Sequence, residues 1–316
     1  MSRRKLAQCT FSSASDKSNG DGCFTLESLQ KFAAPKKRCL SLDIKSEEVS
    51  NNITEVARHM NETGIDSSEE NLLWARFYKL ECNLNEALRK IDVPANITHT
   101  YNPLEYAAQL HCGYLKKFLD GPKRVVFVGM NPGPNGMGQT GVPFGNILTV
   151  RNEMCLTGAV KQPPSVHAKR PVLGLECTTE EPSGVRIWGL LKKLAGGSLT
   201  TFGRQCFVHN FCPLIFHDKA GRNITPSELK GDYKSIIGKL CLEILDQELD
   251  LLQPEIVIAV GEYMNGMLKN SRHANSLKIF KLPHPSPRSL NNQNWPEKAE
   301  QLLCELDLVK YIRGEV

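Results

Sequence analysis

The sequence predicts an α/β domain built on a central, mostly parallel sheet flanked by helices on both faces, and three observations carry that expectation. Runs rich in β-branched and aromatic residues at 124–130, 206–209, 255–260 and 278–282 lack polar alternation, as strands buried on both faces do. Segments with helical spacing of apolar residues lie between these runs, and strands alternating with helices imply a parallel sheet covered on both sides. Finally, 41% hydrophobic and 23% charged residues over 316 positions suffice for a sizeable core, as one large domain or two modest ones.

In chain order, residues 1–65 are rich in Ser, Asn, Lys and Glu with no sustained period, which reads as a disordered polar tail ahead of a domain spanning 66–316. Two basic groups in the tail, 3–5 and 36–38, suit either nuclear import or plain solvated charge. The domain opens with a capping box, Ser67 and Glu70, followed by Leu72, Leu73, Phe77, Leu80, Leu84 and Leu88 at helical spacing, a core stripe. A second helix is expected over 103–119, ended by Asp120, Gly121 and Pro122. After the first strand run, helices are expected over 185–195, 233–252 and 262–271, and a last one over 296–306. No internal repeat is visible.

A formal net charge of +5 permits a polyanionic partner without demanding one. The 11 cysteines sit singly with no CxxC pair. The nearest approach to a metal cluster is Cys206, His209 and Cys212; strand alternation would put the two thiols on one face and the imidazole on the other, so no metal site is expected. No apolar N-terminal segment reads as a signal peptide and no run is long enough to span a bilayer, which with reduced thiols suggests a cytosolic or nuclear protein.

In open α/β sheets ligands bind beyond the carboxyl ends of the strands. The first strand run is followed by Asn131 and a Gly/Pro-rich loop to Gly145, the second by Asn210, the fourth by His284 between prolines. Singly, each has a structural reading: a turn Asn before Pro, a carboxamide satisfying buried backbone, a packed histidine. At three strand ends on one rim they form a candidate site. The loop after Met130 matches neither G-x-G-x-x-G nor the P-loop, and prolines at 132, 134 and 143 remove the N–H donors a phosphate cradle needs, so a stiff wall for a small pocket fits better.

With GMNPGP at 129–134, MGQTGVPFG at 137–145, RPVLGLEC at 170–177, HNFCPL at 209–214, GRNITP at 221–226 and HPSPR at 284–288, the chain resembles the single-strand-selective monofunctional uracil-DNA glycosylases, over about two-thirds of its length from Tyr101 onward. The resemblance implies a uracil-DNA glycosylase-like fold and hydrolytic removal of uracil and 5-substituted uracils from single- and double-stranded DNA, leaving an abasic site. It implies Asn131 and His284 as the catalytic pair, the first holding water and the second donating to uracil O2. Aspartate stands at position 131 in the best-known uracil glycosylases; asparagine orients water without deprotonating it, so leaving-group stabilisation carries more of the rate.

The base pocket implied is Met130, Gly133, Phe144, Asn210 and His284. Phe144 stacks on the ring, Gly133 leaves room beside C5, and Asn210 accepts from N3–H and donates to O4, a pairing that cytosine reverses. DNA contacts are expected from Ala220, Gly221, Arg222, Asn223, Thr225, Lys230 and Lys234, and from Arg288 as a wedge into the gap left by an extruded base, although 221–234 also reads as a solvated loop. Asn135 and Ser289 depart from the aromatic residue and the Asn common in relatives. No lysine adjoins the site in sequence, so no lyase step is expected, and no cofactor or metal is called for. Nuclear localisation, a monomer and hand-over to abasic-site repair enzymes complete the expectation. The rival readings are a non-catalytic damaged-DNA binding module on the same fold and a small-molecule nucleotide hydrolase.

Overall fold

The computed structural model of the protein describes residues 69–289 and 292–316. The expected tail, its two basic groups and Ser67 as a helix cap lie outside the described residues. Helix α1 (Leu73–Arg89) buries Trp74, Phe77, Tyr78, Leu84 and Leu88, and with them the polar Glu81 and Asn85. Two residues of the expected stripe fall off it: Leu72 precedes the helix and is exposed, and Leu80 lies at the margin. The large aromatic side chains at 74, 77 and 78 set the buried face, because they bury the most area.

Strand β1 (His99–Tyr101) leads into α2 (Pro103–Tyr106), which starts where the Asn102 side chain accepts from Leu104 N. The single helix expected over 103–119 is two, because Ala107 leaves helical dihedrals (φ −109°, ψ 26°) before α3 (Ala108–Phe118). Then come β2 (Val125–Gly129), α4 (Met137–Thr140), α5 (Pro182–Leu194), α6 (Leu199–Gly203), β3 (Cys206–Asn210), β4 (Ile215–His217) and β5 (Asn223–Ile224). The chain closes with α7 (Gly231–Leu252), β6 (Ile256–Val260), α8 (Glu262–Leu268), β7 (Lys278–Leu282), α9 (Trp295–Glu305) and α10 (Val309–Ile312). No helix among the described residues is long and apolar enough to cross a membrane.

The four strand runs read from the sequence form one parallel sheet in the order β3-β2-β6-β7. Every residue of β2, β3 and β6 is buried, whereas the edge strand β7 exposes Lys278 and Lys281, which discourages further pairing. The sheet has two covered faces. Phe207 of β3 meets Phe77 of α1 and Tyr114 of α3, while Phe127 of β2, on the opposite face, meets Phe202 of α6. A second, antiparallel sheet, β1-β4-β5, was not expected. Its strands are two or three residues long, too short for an alternation to show in sequence, and it packs around Tyr101, Tyr106, Ala107, Val172 and Ile215.

Behind β3 lies a buried chain of charged groups that the apolar spacing gives no hint of. His209 Nε2 is 3.0 Å from Glu248 Oε2 on α7, and its Nδ1 is 3.9 Å from Glu81 Oε1 on α1. Glu81 Oε2 in turn lies 2.7 Å from His111 Nε2 on α3, whose Nδ1 is 2.7 Å from the Gly141 carbonyl. Ligand atoms of Glu81, His209 and Glu248 come within 4.8 Å of one another. Two of these imidazole–carboxylate contacts have hydrogen-bond length, so shared protons account for them. Burial alone would depress the His209 imidazole, but Glu248 outweighs it and its pKa is raised. The thiols of the sequence-level cluster go elsewhere: Cys206 lies near Lys123 and Cys212 beside Cys241.

Removing one member of a buried pair strands the other charge, at a cost of about 3 kcal/mol or more. Glu248→Ala is therefore expected to lower the unfolding free energy at pH 7 by about that amount, read as a lower urea midpoint; a midpoint equal to wild type would show that the pair contributes nothing.

Candidate active site

The parallel register of β2 and β3 sets Gly129 opposite Asn210. The pairing continues past the strands, with Phe211 N bonding Gly129 O and Cys212 N bonding Met130 O, both at 2.9 Å. The loop after β3 is thus laid along the loop after β2, and Asn131 and Asn210 share one rim.

Gly129 is the floor of this rim. A β-carbon there would stand 2.6 Å from Phe144 Cε2 and would collide with Asn210 Oδ1, so only glycine lets the aromatic ring and the carboxamide meet over the strand end. Phe144 adopts a left-handed backbone conformation (φ 53°), which costs a non-glycine residue roughly 1–2 kcal/mol. The surroundings over-determine it. Gly145 N bonds Val142 O at 2.8 Å, Asn146 N bonds Phe144 O at 2.9 Å, and Trp188 Nε1 bonds Pro143 O at 3.1 Å. Gly184, in the first turn of α5, packs directly on the Phe144 carbonyl. The half-buried ring is held toward His284, with ring centroids 6.0 Å apart.

Hydrogen bonds fix how each polar group faces the rim. Asn131 Nδ2 donates to Leu214 O at 3.1 Å and Pro132 O at 3.4 Å, which turns Oδ1 outward as an acceptor. Asn210 Nδ2 is 3.1 Å from the Met137 sulfur, a weak acceptor, and its buried Oδ1 has no partner. Ser286 N donates to His284 Nδ1 at 3.1 Å, so the imidazole proton resides on Nε2. Burial holds the His284 pKa down to about 4, which keeps the ring neutral at physiological pH. The rim therefore combines two oriented carboxamides, a neutral N–H donor and an aromatic face.

Residues that sequence reasoning missed hold the His284 loop in place. Asn292 Nδ2 donates to His284 O at 2.8 Å and Ser286 O at 2.7 Å, Arg186 donates to Pro285 O at 3.2 Å and Asn292 O at 3.1 Å, and Trp295 Nε1 donates to Pro283 O at 2.7 Å. Ser289 N closes a turn onto Ser286 O at 3.1 Å. Gln139 likewise pins the pocket loop, bonding Pro134 O, Pro171 O, Leu173 N and Gly174 N. The Arg186 contacts and the Gln139 contacts to Pro171, Leu173 and Gly174 join residues remote in the chain, so no local sequence signal marks them.

The space beside Gly133 is not open. A β-carbon on Gly133 would stand 2.6 Å from Glu181 Oε2, and one on Gly136 would stand 2.7 Å from Glu181 Cγ. Glu181 immediately precedes α5; its N donates to Asn146 Oδ1 at 3.2 Å. Burial pushes its carboxyl pKa up, against hydrogen bonds from the Ser183 side chain and amide and, behind them, the charge of Arg288. Arg288 is exposed on the His284 loop.

At the expected phosphate-contact segment, the β4–β5 hairpin exposes Ala220 and Arg222, and Gly221 turns at φ 80° against His167. Arg222 is already ion-paired, to Asp218 at 3.2 Å and Glu228 at 2.6 Å. Asn223 is half-buried, with its Oδ1 buried and unpartnered. Thr225 forms a capping box with Glu228, Lys234 Nζ donates to Ser227 O at 2.6 Å, and Lys230 is exposed. The charge of Arg222 is thus offset locally, whereas among the described residues Lys230 and Lys234 pair with no carboxylate and keep theirs.

The model of the uracil DNA glycosylase superfamily matches residues 117–307. The single-strand selective monofunctional uracil DNA glycosylase of Bos taurus is 42% identical over 236 residues, covering 74% of this chain and 86% of that protein. The corresponding protein of Rattus norvegicus is 40% identical over 242 residues, covering 76% and 87%. The crystal structure of wild-type Pedobacter heparinus SMUG2 superposes with a TM-score of 0.52 at 19% identity, over 73% of this chain and 98% of that one, a likeness of fold.

A lowered histidine pKa means that the neutral form persists until the pH falls to the shifted value. NMR of the His284 ring should show an Nε2-protonated neutral tautomer from pH 8 down to about 5, titrating near 4; an imidazolium at pH 6.5 would contradict the assignment.

Proposed function

Because the chain belongs to the uracil DNA glycosylase superfamily, we propose that this rim extracts and excises uracil from DNA. The protein is a DNA N-glycosylase without lyase activity, whose reaction frees the base and leaves an intact strand with an abasic site. One observation carries the proposal: the site's polar atoms that lack a protein partner, Asn210 Oδ1 and His284 Nε2, are the acceptor and donor that a uracil edge requires.

As the C1′–N1 bond breaks, negative charge develops on the base and positive charge on the sugar. His284 donates from Nε2 to uracil O2, and a neutral donor is matched to an oxygen whose charge grows only in the transition state. Asn131, with Nδ2 tied to Leu214 O, presents Oδ1 to a water and positions it at the sugar carbon without removing its proton. Asn210 Oδ1 accepts from N3–H while Nδ2 gives up its weak bond to the Met137 sulfur for O4. Cytosine, with an acceptor at N3 and a donor at C4, leaves both atoms mismatched. Phe144 stacks on the ring and the Met130 backbone closes the pocket.

The wider reading covers 5-substituted uracils, whose substituent comes beside Gly133 against Glu181, and both single- and double-stranded DNA. Arg288 fills the gap left by the base. The hairpin 220–225 with Lys230 and Lys234 meets phosphates, for which Arg222 would exchange its carboxylate partners. The protein acts as a monomer in the nucleus and hands its product to abasic-site repair enzymes.

The test is incubation of the full chain with uracil-containing oligonucleotides followed by alkali. Strand scission is expected only after alkali, and its absence with uracil in either single- or double-stranded DNA would sink the proposal. Asn131→Ala and His284→Leu are each expected to slow single-turnover excision by about 10²-fold or more while retaining DNA binding. Full activity in either variant would remove that residue from the mechanism, and wild-type binding without excision would favour a damage-binding module.

A further inference from the structure

We propose that Glu181 is a specificity-determining residue that reads the 5-substituent of the extruded uracil, favouring groups that donate a hydrogen bond to its carboxyl. The inference rests on the uracil-excising reading above and names what lies at the C5 side of that pocket.

The geometry begins with the ring's orientation. With O2 at His284 and the N3/O4 edge at Asn210, C5 lies beyond O4, on the side away from His284. Gly133 is the residue without a side chain assigned to that side, and the direction its β-carbon would take is filled by Glu181 Oε2, 2.6 Å from that position. The Glu181 stem also packs along Gly136, so the carboxyl spans the Gly/Pro loop. Its backbone is fixed to the stacking platform, because Glu181 N bonds Asn146 Oδ1 and Asn146 N bonds the Phe144 carbonyl. Glu181 and Phe144 therefore keep a constant relation, as a discriminating group and its platform must.

The chemistry follows from a half-buried carboxyl that already accepts from Ser183 at the start of α5 and keeps further acceptor capacity beside Gly133. A hydroxymethyl group at C5 can donate its O–H to Glu181, a charge-assisted bond worth about twice a neutral one. A methyl group offers no donor and strips the carboxyl of water without return, which is how a polar site rejects an apolar analogue. A carboxyl substituent brings like charge against it. Uracil itself leaves space in which water can solvate Glu181. Arg288, on the wedge loop, carries a positive charge that reaches Glu181.

The experiment measures single-turnover excision by the full chain of uracil, 5-hydroxymethyluracil and 5-carboxyuracil in otherwise identical oligonucleotides, for wild type, Glu181→Leu and Glu181→Gln. Glu181→Leu should lower the hydroxymethyluracil-to-uracil rate ratio about tenfold, the loss of one charge-assisted bond. Glu181→Gln preserves the shape and should raise the carboxyuracil-to-uracil ratio severalfold, which keeps a test available if the leucine variant fails to fold. If wild type excises hydroxymethyluracil and both ratios stay at wild-type values, Glu181 has no part in specificity while the glycosylase reading stands. A uniform loss on all three substrates would assign it a structural role and overturn the proposal. Wild type acting on uracil alone would overturn it together with the 5-substituent reading, and wild type acting on neither base would remove the glycosylase reading itself.

Discussion

The site depends on the missing side chain at Gly129. Two parallel strands in register bring Gly129 opposite Asn210, and hydrogen on that α-carbon is what allows Asn210 and Phe144 to converge over the strand end. The rest of the pocket is arranged around that approach. Phe144 can reach it only with a left-handed backbone, so Val142, Asn146, Trp188 and Gly184 hold the strained turn from several sides. Strain of roughly 1–2 kcal/mol is small against a packed interior, but it persists only because no alternative turn satisfies these partners together.

A second constraint is electrostatic, and it acts on both sides of the rim. Behind β3, His209 and His111 are shared between Glu81, Glu248 and the Gly141 carbonyl, which links three helices to the strand bearing Asn210 and to the loop bearing Phe144. At the rim, burial and the Ser286 amide keep His284 neutral with its proton on Nε2. On the proposed reading these two settings are complementary. Asparagine at 131 orients water but cannot take its proton, so more of the barrier must be lowered by the donor to the departing base. One well-placed donor of that kind is worth about 3–4 kcal/mol.

Surface charge tells a different story from the sum of its residues. Arg222 is exposed but paired with Asp218 and Glu228, so its share of the formal +5 of the chain is offset by two carboxylates. Glu181 shows the converse. It is an acidic residue before a helix and accepts from Ser183 in the first turn, as carboxylates at that place commonly do, and its side chain also lies along the Gly/Pro loop beside Gly133.

The sequence by itself determined the parallel sheet and the candidate rim. Buried strands announce themselves as continuous apolar runs, and residues at strand ends share one edge whatever the details of packing, so Asn131, Asn210 and His284 were legible together. The longer helices were legible to within a few residues, except where one residue's dihedrals split a helix at Ala107, while the short helices Met137–Thr140, Leu199–Gly203 and Val309–Ile312 were not expected. Only the tertiary structure decided the antiparallel sheet, the buried Glu–His chain, the clamp of Arg186 and Asn292 on the His284 loop, and the position of Glu181. Most of these are contacts between residues far apart in the chain, Glu81 with His209 and Arg186 with Pro285 among them, with no periodicity to betray them. Local pattern carries the information about which residues are buried; which polar atoms meet inside depends on how the helices pack, and no local pattern records that.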